Sequence, residues 1–91
     1  MELQWTQAAN SDLMRLYAFL APANQPAAAR VVQALSQAPT RLLANQRFGE
    51  QLPEFAPREA RRLLVGQCEL RYELLGSTVC VLRRWHTREH R

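Results

Sequence analysis

The chain has 91 residues, of which 47% are hydrophobic and 22% charged, and its formal net charge is +4. This composition is typical of one small globular domain and excludes a disordered chain. No apolar run reaches the roughly 18–20 residues that cross a bilayer, and the first residues lack a signal-peptide pattern. We therefore expect a single domain over residues 1–91 that is located in the cytoplasm and has no membrane partner.

The positive charge is concentrated in the last third of the chain, and all twelve basic residues are arginines. Residues 1–57 contain four arginines and four carboxylates, whereas residues 58–91 contain eight arginines and four carboxylates. Because a guanidinium group binds carboxylates and phosphates through paired donors, this block predicts an anionic partner. The alternative is an ordinary solvated surface. The cysteines and histidines lack metal-binding spacing, so we predict no metal and no cofactor.

The first half of the chain predicts a strand followed by two helices. Residues 2–6 alternate apolar and polar side chains, as a half-buried strand does. A helix capped by Asn10 or Ser11 should follow. Its apolar side chains recur at helical spacing: Leu13, Leu16, Tyr17 and Leu20. A turn near Pro26 leads to a second helix, which Pro39 should break or kink, so the two helices form a hairpin.

The second half predicts three strands after a loop over residues 48–57. A short apolar strand is expected around residues 63–65, and the Gly76–Ser77 pair predicts a two-residue turn between strands 68–75 and 78–86. That turn sets the register of the hairpin. One face should pair Leu74 with Val79, Tyr72 with Val81, Leu70 with Arg83 and Cys68 with Trp85. The other should pair Glu73 with Cys80, Arg71 with Leu82 and Glu69 with Arg84, with His86 just beyond.

These elements predict an α+β fold with the order β-α-α-β-β-β. We expect the helical hairpin to pack on one face of a small antiparallel sheet, against the mostly apolar side of the strands. The opposite face should be open and charged.

Two long motifs resemble one known family over nearly the whole chain. The first runs from Trp5 to Arg30 and reads W-T-x-x-A-x-x-D-L-x-x-L-Y-x-F-L, followed by N-x-P-A-A-A-R. The second comprises R-E-A-R-R-L-L-V-G-Q-C-E-L-R-Y-E-L and the terminal V-L-R-R-W-H-T-R-E-H-R. Together they resemble the RelE/ParE superfamily of toxins from type II toxin–antitoxin modules. The long helical hairpin, with Pro26 at the start of its second helix, is more similar to the ParE-like branch.

The resemblance implies one of two mechanisms. ParE-like toxins inhibit DNA gyrase by binding it, whereas RelE-like toxins are ribosome-dependent mRNA endoribonucleases that need no metal. Glu69 stands where RelE-type nucleases carry an arginine, and the late tyrosine of those enzymes has no counterpart here. We therefore favour a gyrase inhibitor. The alternative is a nuclease that uses His86 as its acid or base. A nucleic-acid-binding module without toxicity is a third hypothesis, although few aromatic residues accompany the arginines.

The resemblance also implies a partner and a set of site residues. The partner is an acidic antitoxin that forms a hetero-oligomer with the toxin. The target of the toxin is gyrase or, in the alternative, the ribosome and its mRNA. The candidate catalytic residue is His86. Candidate contacts to the target or to phosphates are Arg61, Arg62, Arg71, Arg84, Arg88 and Arg91. Candidate antitoxin contacts are Leu16, Leu20, Arg58 and Trp85.

Overall fold

The computed structural model describes residues 2–89 and contains three helices on one face of a five-stranded sheet. The elements, in chain order, are β1 (Glu2–Trp5), α1 (Gln7–Leu20), α2 (Gln25–Gln37), α3 (Thr40–Ala44), β2 (Glu50–Gln51), a 3₁₀ turn (Pro53–Phe55), β3 (Glu59–Val65), β4 (Cys68–Leu75) and β5 (Thr78–His86). The predicted α+β class and β-α-α-β-β-β order are confirmed; the two-residue β2 and the short α3 are additions. Among residues 2–89 there is no helix with the length and hydrophobicity that crossing a bilayer requires.

The strands lie in the order β1-β5-β4-β3-β2. Three of the four pairings are antiparallel, as predicted, but β1 runs parallel to β5, so the sheet is mixed. Parallel neighbours require a long crossover connection, which the helical hairpin and the rest of the chain supply here. The alternation of a four-residue edge strand carries no information about its direction, and the sequence therefore could not predict this pairing.

The first helix begins four or five residues earlier than its polar residues suggest. Thr6, not Asn10 or Ser11, is the N-cap: its hydroxyl oxygen accepts from the Ala9 backbone N–H at 3.0 Å and donates to the Leu82 carbonyl at 2.7 Å. The cap therefore also joins the start of α1 to β5. Pro39 acts as predicted, because α2 ends at Gln37 and the chain resumes as α3 after the proline.

The core lies between the helices and the sheet, and its residues come from both halves of the chain. Its fully buried apolar members include Leu16, Leu35, Leu42, Leu70, Val79 and Val81. Tyr72 extends this core to the loop before β2, where its hydroxyl accepts from the Gly49 N–H at 2.9 Å and donates to the Gln46 carbonyl at 2.8 Å. A side chain at Gly49 would meet the Tyr72 hydroxyl within 2.7 Å, so this approach requires glycine.

The β4–β5 register agrees with the prediction near the turn and departs from it beyond Tyr72. Gly76 adopts a φ of +60°, which the first central residue of a type II′ turn requires. The predicted pairs that form are Leu74 with Val79, Glu73 with Cys80 and Tyr72 with Val81. A bulge between Arg71 and Tyr72 then shifts the register by one residue. The pairs that follow are Arg71 with Arg83, Leu70 with Arg84, Glu69 with Trp85 and Cys68 with His86.

The bulge reverses the faces predicted for the end of β5. Arg84 and His86 pair with apolar residues of the core face and point toward the helices, where both are buried. Trp85 moves to the opposite face of the sheet, which we call the open face. The predicted positions of all three side chains were therefore wrong, because an inserted residue exchanges inward and outward positions along a strand.

Candidate functional site

Arg84 is a core residue. Its side chain is 1% exposed, and its guanidinium lies 4.4 Å from the centre of the Trp5 ring and donates to the Ala9 carbonyl through Nε and Nη2. Burial lowers the pKa of Arg84 to about 10. The predicted role in phosphate or target contact is therefore not available to Arg84 in this fold. Its contacts join β1, α1 and β5.

A buried carboxylate next to Arg84 organises the C-terminal end of the sheet. Asp12 is 1% exposed and accepts from Arg83 Nε at 2.9 Å, from Arg83 Nη2 at 3.1 Å and from the Arg84 backbone N–H at 2.8 Å. Arg15 also donates to Asp12, and it binds Glu89 through two further hydrogen bonds at 2.9 and 3.1 Å. We call these five residues the Asp12 network. It connects α1 to the last strand and to the residues that follow.

The electrostatics of the Asp12 network follow from its geometry. Burial alone would raise the pKa of Asp12, but the hydrogen bonds from Arg83, from the Arg84 N–H and from Arg15 outweigh it and lower the pKa below its usual value. Asp12 is therefore an ionised, buried hydrogen-bond acceptor. Sequence reasoning placed it only in the first turn of a helix and missed this role, since Arg83 and Arg84 lie more than seventy residues away along the chain.

His86 lies beneath the helices, away from the open face. The side chain is 4% exposed, and its ring centre is 6.2 Å from that of Phe19. Nδ1 accepts from the Arg88 backbone N–H at 3.1 Å, so Nε2 carries the proton of the neutral ring. Burial, reinforced by the charge of Arg88, lowers the pKa of His86, and the ring is neutral at pH 7. Within residues 2–89 we find no hydrogen-bond partner for Nε2.

On the open face one arginine packs against two aromatic rings. The Arg71 guanidinium lies 4.8 Å from the centre of the Trp85 ring and 5.4 Å from that of Phe55, which the 3₁₀ turn contributes. Glu69 accepts from Arg71 at 3.3 Å, and Arg71 Nε is buried without a hydrogen-bond partner among the described residues. We call this the Arg71 stack.

The remaining arginines of the sheet are neutralised by carboxylates. Arg58 donates two hydrogen bonds to the buried Glu73, at 2.6 and 2.7 Å, and this pairing lowers the pKa of Glu73. Arg62 binds Glu50 at 2.7 Å. The open face is charged, as predicted, but its charges are paired.

Arg61 lies on the other side of the sheet from Arg62. It binds Glu59 at 3.0 Å and donates to the Gly49 carbonyl at 2.7 Å, so it supports the loop before β2. The register pairs it with Tyr72 on the helix side. Arg61 and Arg62 therefore cannot act on one surface.

The structure separates the predicted site residues into two groups. Arg58, Arg62, Arg71 and Trp85 lie together on the open face. Leu20, His86 and Arg88 lie together beside α2, where they line one cavity. Leu16 is fully buried in the core, so it cannot contact an antitoxin directly. Arg91 lies outside the described residues.

Sequence reasoning did not propose two further arginines of the helices as site residues: Arg30, which lines a cavity with His86, and Arg41, which lies at the opposite end of α2 from the second group. Arg30 and Arg41, on α2 and α3, are exposed, and no carboxylate within residues 2–89 pairs with either. A local signal was present, because neither has an acidic residue three or four positions away on its helix. Among the described residues no cluster of three potential ligands could hold a metal ion.

Comparison with known proteins gives the family. A family model described as "ParE toxin of type II toxin-antitoxin system, parDE" matches residues 3–91. A solved structure from P. aeruginosa, described as a chromosomal ParDE toxin–antitoxin system, is similar with a TM-score of 0.78. It is 24% identical over 94% of this chain and 95% of its own, a likeness that shows the fold. No curated protein matches.

The fold and the family match define a toxin of a type II toxin–antitoxin system. The chain belongs to the ParE toxin family of parDE systems. The resemblance seen in the sequence, including the preference for the ParE-like branch, is confirmed.

Proposed function

We propose that this toxin inhibits growth by binding DNA gyrase in the cytoplasm and that an acidic antitoxin neutralises it in a hetero-oligomeric complex. Membership of the ParE family supports the toxin assignment and the presence of an antitoxin partner. The choice of binding over catalysis rests on the positions of His86 and of the arginines.

The observation that carries this choice is that the groups needed for RNA cleavage do not meet. In-line attack by a ribose hydroxyl needs an acid and a base on either side of the phosphate, with cations around it. His86 and Arg84 point toward the helices, whereas Arg62 and Arg71 lie on the open face. The sheet therefore separates the candidate acid or base from two of its candidate cations. A stoichiometric inhibitor requires no such assembly.

The open face has the features of a protein-binding surface. Trp and Arg are the residue types that most often dominate binding energy, and the Arg71 stack holds both in a fixed geometry. Leu64, which pairs with Glu69 on this face, is 59% exposed, and Leu75 is more than half exposed. Exposed apolar side chains on the same face as an arginine packed against two aromatic rings fit a protein target, so we assign the gyrase contact to this face.

Two assays on the purified toxin test the proposal. The first measures DNA supercoiling by gyrase and the trapping of cleaved DNA; the second measures mRNA cleavage in a translating extract. We expect supercoiling to fall in proportion to the toxin added, with mRNA left intact. Ribosome-dependent mRNA cuts with unchanged supercoiling would overturn the gyrase assignment and favour the nuclease.

A further inference from the structure

The outer side of the helical hairpin forms a surface without charged side chains, which we call the hairpin face. At its centre, Leu13, Met14 and Tyr17 of α1 meet Val32 of α2 around one cavity. The residues one helical turn away from Met14 and Val32 complete this face, and all of them are exposed: Asn10, Ser11 and Ala18 on α1, and Ala29 and Ser36 on α2. None of these residues is charged.

The charged residues of α1 and α2 lie away from the hairpin face. The two helices contain only Asp12, Arg15 and Arg30. Asp12 is buried, and Arg15 binds both Asp12 and Glu89, toward the end of β5. Arg30 lines the cavity that contains His86, on the flank of α2 that adjoins the β3–β4 turn. The net charge of +4 is therefore carried by other surfaces of the molecule.

The hairpin face combines a projecting apolar side chain with an apolar cavity beside it. Met14 is 78% exposed, the largest fraction for any large hydrophobic residue within residues 2–89. The adjoining cavity has a volume of about 320 Å³. The only polar atom in the side chains that line it is the Tyr17 hydroxyl oxygen, which accepts from the Gln25 amide at 3.0 Å. The cavity therefore offers apolar surface to whatever enters it.

We infer that two copies of this chain associate through the hairpin face as a twofold-symmetric dimer. Near a twofold axis each residue meets its own counterpart, so a projecting side chain next to a cavity is self-complementary. Met14 of each copy enters the cavity of the other. Ser11 and Ala18, one turn on either side of Met14, are small and let the two α1 helices approach closely. The 14 residues of α1 provide a contact about 21 Å long at 1.5 Å per residue.

The absence of charge favours a second copy over other partners. Two chains of net charge +4 repel each other, and a twofold interface places like charges opposite one another. Self-association therefore needs a surface without arginines, and the hairpin face meets this condition. A nucleic acid or an acidic protein would find no arginine there to pair with. Because the helices cover only one side of the sheet, this dimer leaves the open face of both copies free.

The first test measures the dimer by analytical ultracentrifugation of the purified full chain. We expect the wild type to dimerise with a Kd of about 1–100 μM, because the contact is small and reversible. Met14→Glu should raise this Kd at least about tenfold, because it places two carboxylates together near the axis. The matched control is Phe48→Glu, which replaces a side chain that is 58% exposed in the loop before β2 and should change Kd less than about threefold.

The second test exploits the twofold symmetry. Met14→Arg should weaken the dimer as Met14→Glu does, because two guanidinium groups then meet near the axis. In an equimolar mixture of the two variants, each interface can contain one carboxylate and one guanidinium. We expect the mixture to dimerise at least about tenfold more tightly than either variant alone. Recovery in the mixture also shows that both variants are folded.

Four results would overturn the inference. The first three are a wild-type chain that stays monomeric at about 100 μM, equal effects of Met14→Glu and Phe48→Glu, and a mixture that is no tighter than its components. The fourth is the loss of antitoxin or gyrase binding in Met14→Glu with an unchanged dimer, which would assign the hairpin face to that partner. We expect Met14→Glu to inhibit gyrase in the supercoiling assay as the wild type does, so this inference and the gyrase proposal can fail separately.

Discussion

Replacing Asp12 by alanine should destabilise the protein more than any other single loss of a carboxylate. The substitution leaves the buried Arg84 backbone N–H without its acceptor, which costs about 1–3 kcal/mol. It also removes the paired hydrogen bonds from Arg83, whose side chain is 41% exposed, so we count only about 1 kcal/mol for them. The expected loss is roughly 2–4 kcal/mol, a large part of the 5–15 kcal/mol that stabilises a typical domain.

Urea denaturation followed by tryptophan fluorescence measures this loss. The midpoint should fall without a change in the slope, and thermal scans should show a decrease of roughly 4–8 °C for each kcal/mol. Glu54→Ala, an exposed carboxylate on the 3₁₀ turn, is the matched control and should change stability by less than about 0.5 kcal/mol. A loss below about 1 kcal/mol in Asp12→Ala would refute the argument that the Asp12 network joins α1 to β5.

Three further predictions concern the buried carboxylates, the loop at Gly49 and the open face. The pKa values of Asp12 and Glu73 are lower in the folded protein than in the unfolded chain. The stability that these carboxylates contribute is therefore present above a pH of about 4 and is lost as the pH falls through the folded-state pKa values. On acid titration, the free energy of unfolding of Asp12→Asn should decline less steeply than that of the wild type, and parallel curves would contradict this. Gly49→Ala should cost about 1–3 kcal/mol in urea denaturation, and a neutral result would exclude the close approach at this loop. Trp85→Ala should abolish gyrase inhibition with the fold retained, and undiminished inhibition would remove the Arg71 stack from the target contact.

The part of the fold predicted from the sequence is the part that hydrophobic periodicity determines. The apolar stripe of α1, the Pro39 break and the Gly76 turn each have a local physical cause, and each is confirmed. The pairing is also correct from the turn as far as Tyr72, since apolar and polar residues alternate there. The helix cap at Thr6 was missed because Asn10 and Ser11 are equally good capping residues and lie nearer the apolar stripe.

The candidate site was predicted less well because β5 loses its alternation after Leu82. Arg83 and Arg84 are adjacent and identical, so no pattern indicates which of them points inward. A long arginine side chain can be buried when its guanidinium packs on an aromatic ring and donates to a carbonyl. Arg84 does both, through the Trp5 ring and the Ala9 carbonyl. These partners come from the other end of the chain. The bulge that places them together is a tertiary feature, and it moved Arg84, Trp85 and His86 from their predicted faces of the sheet.

The distribution of charge in the fold differs from its distribution along the chain. Residues 1–57 are neutral in sum, yet their carboxylates Asp12 and Glu50 pair with Arg83 and Arg62 of the basic C-terminal third. Two arginines of the neutral half, Arg30 and Arg41, are therefore left without a carboxylate partner among residues 2–89. The net charge of +4 predicts an anionic partner. The side of the molecule on which such a partner is expected follows only from which ion pairs the fold forms.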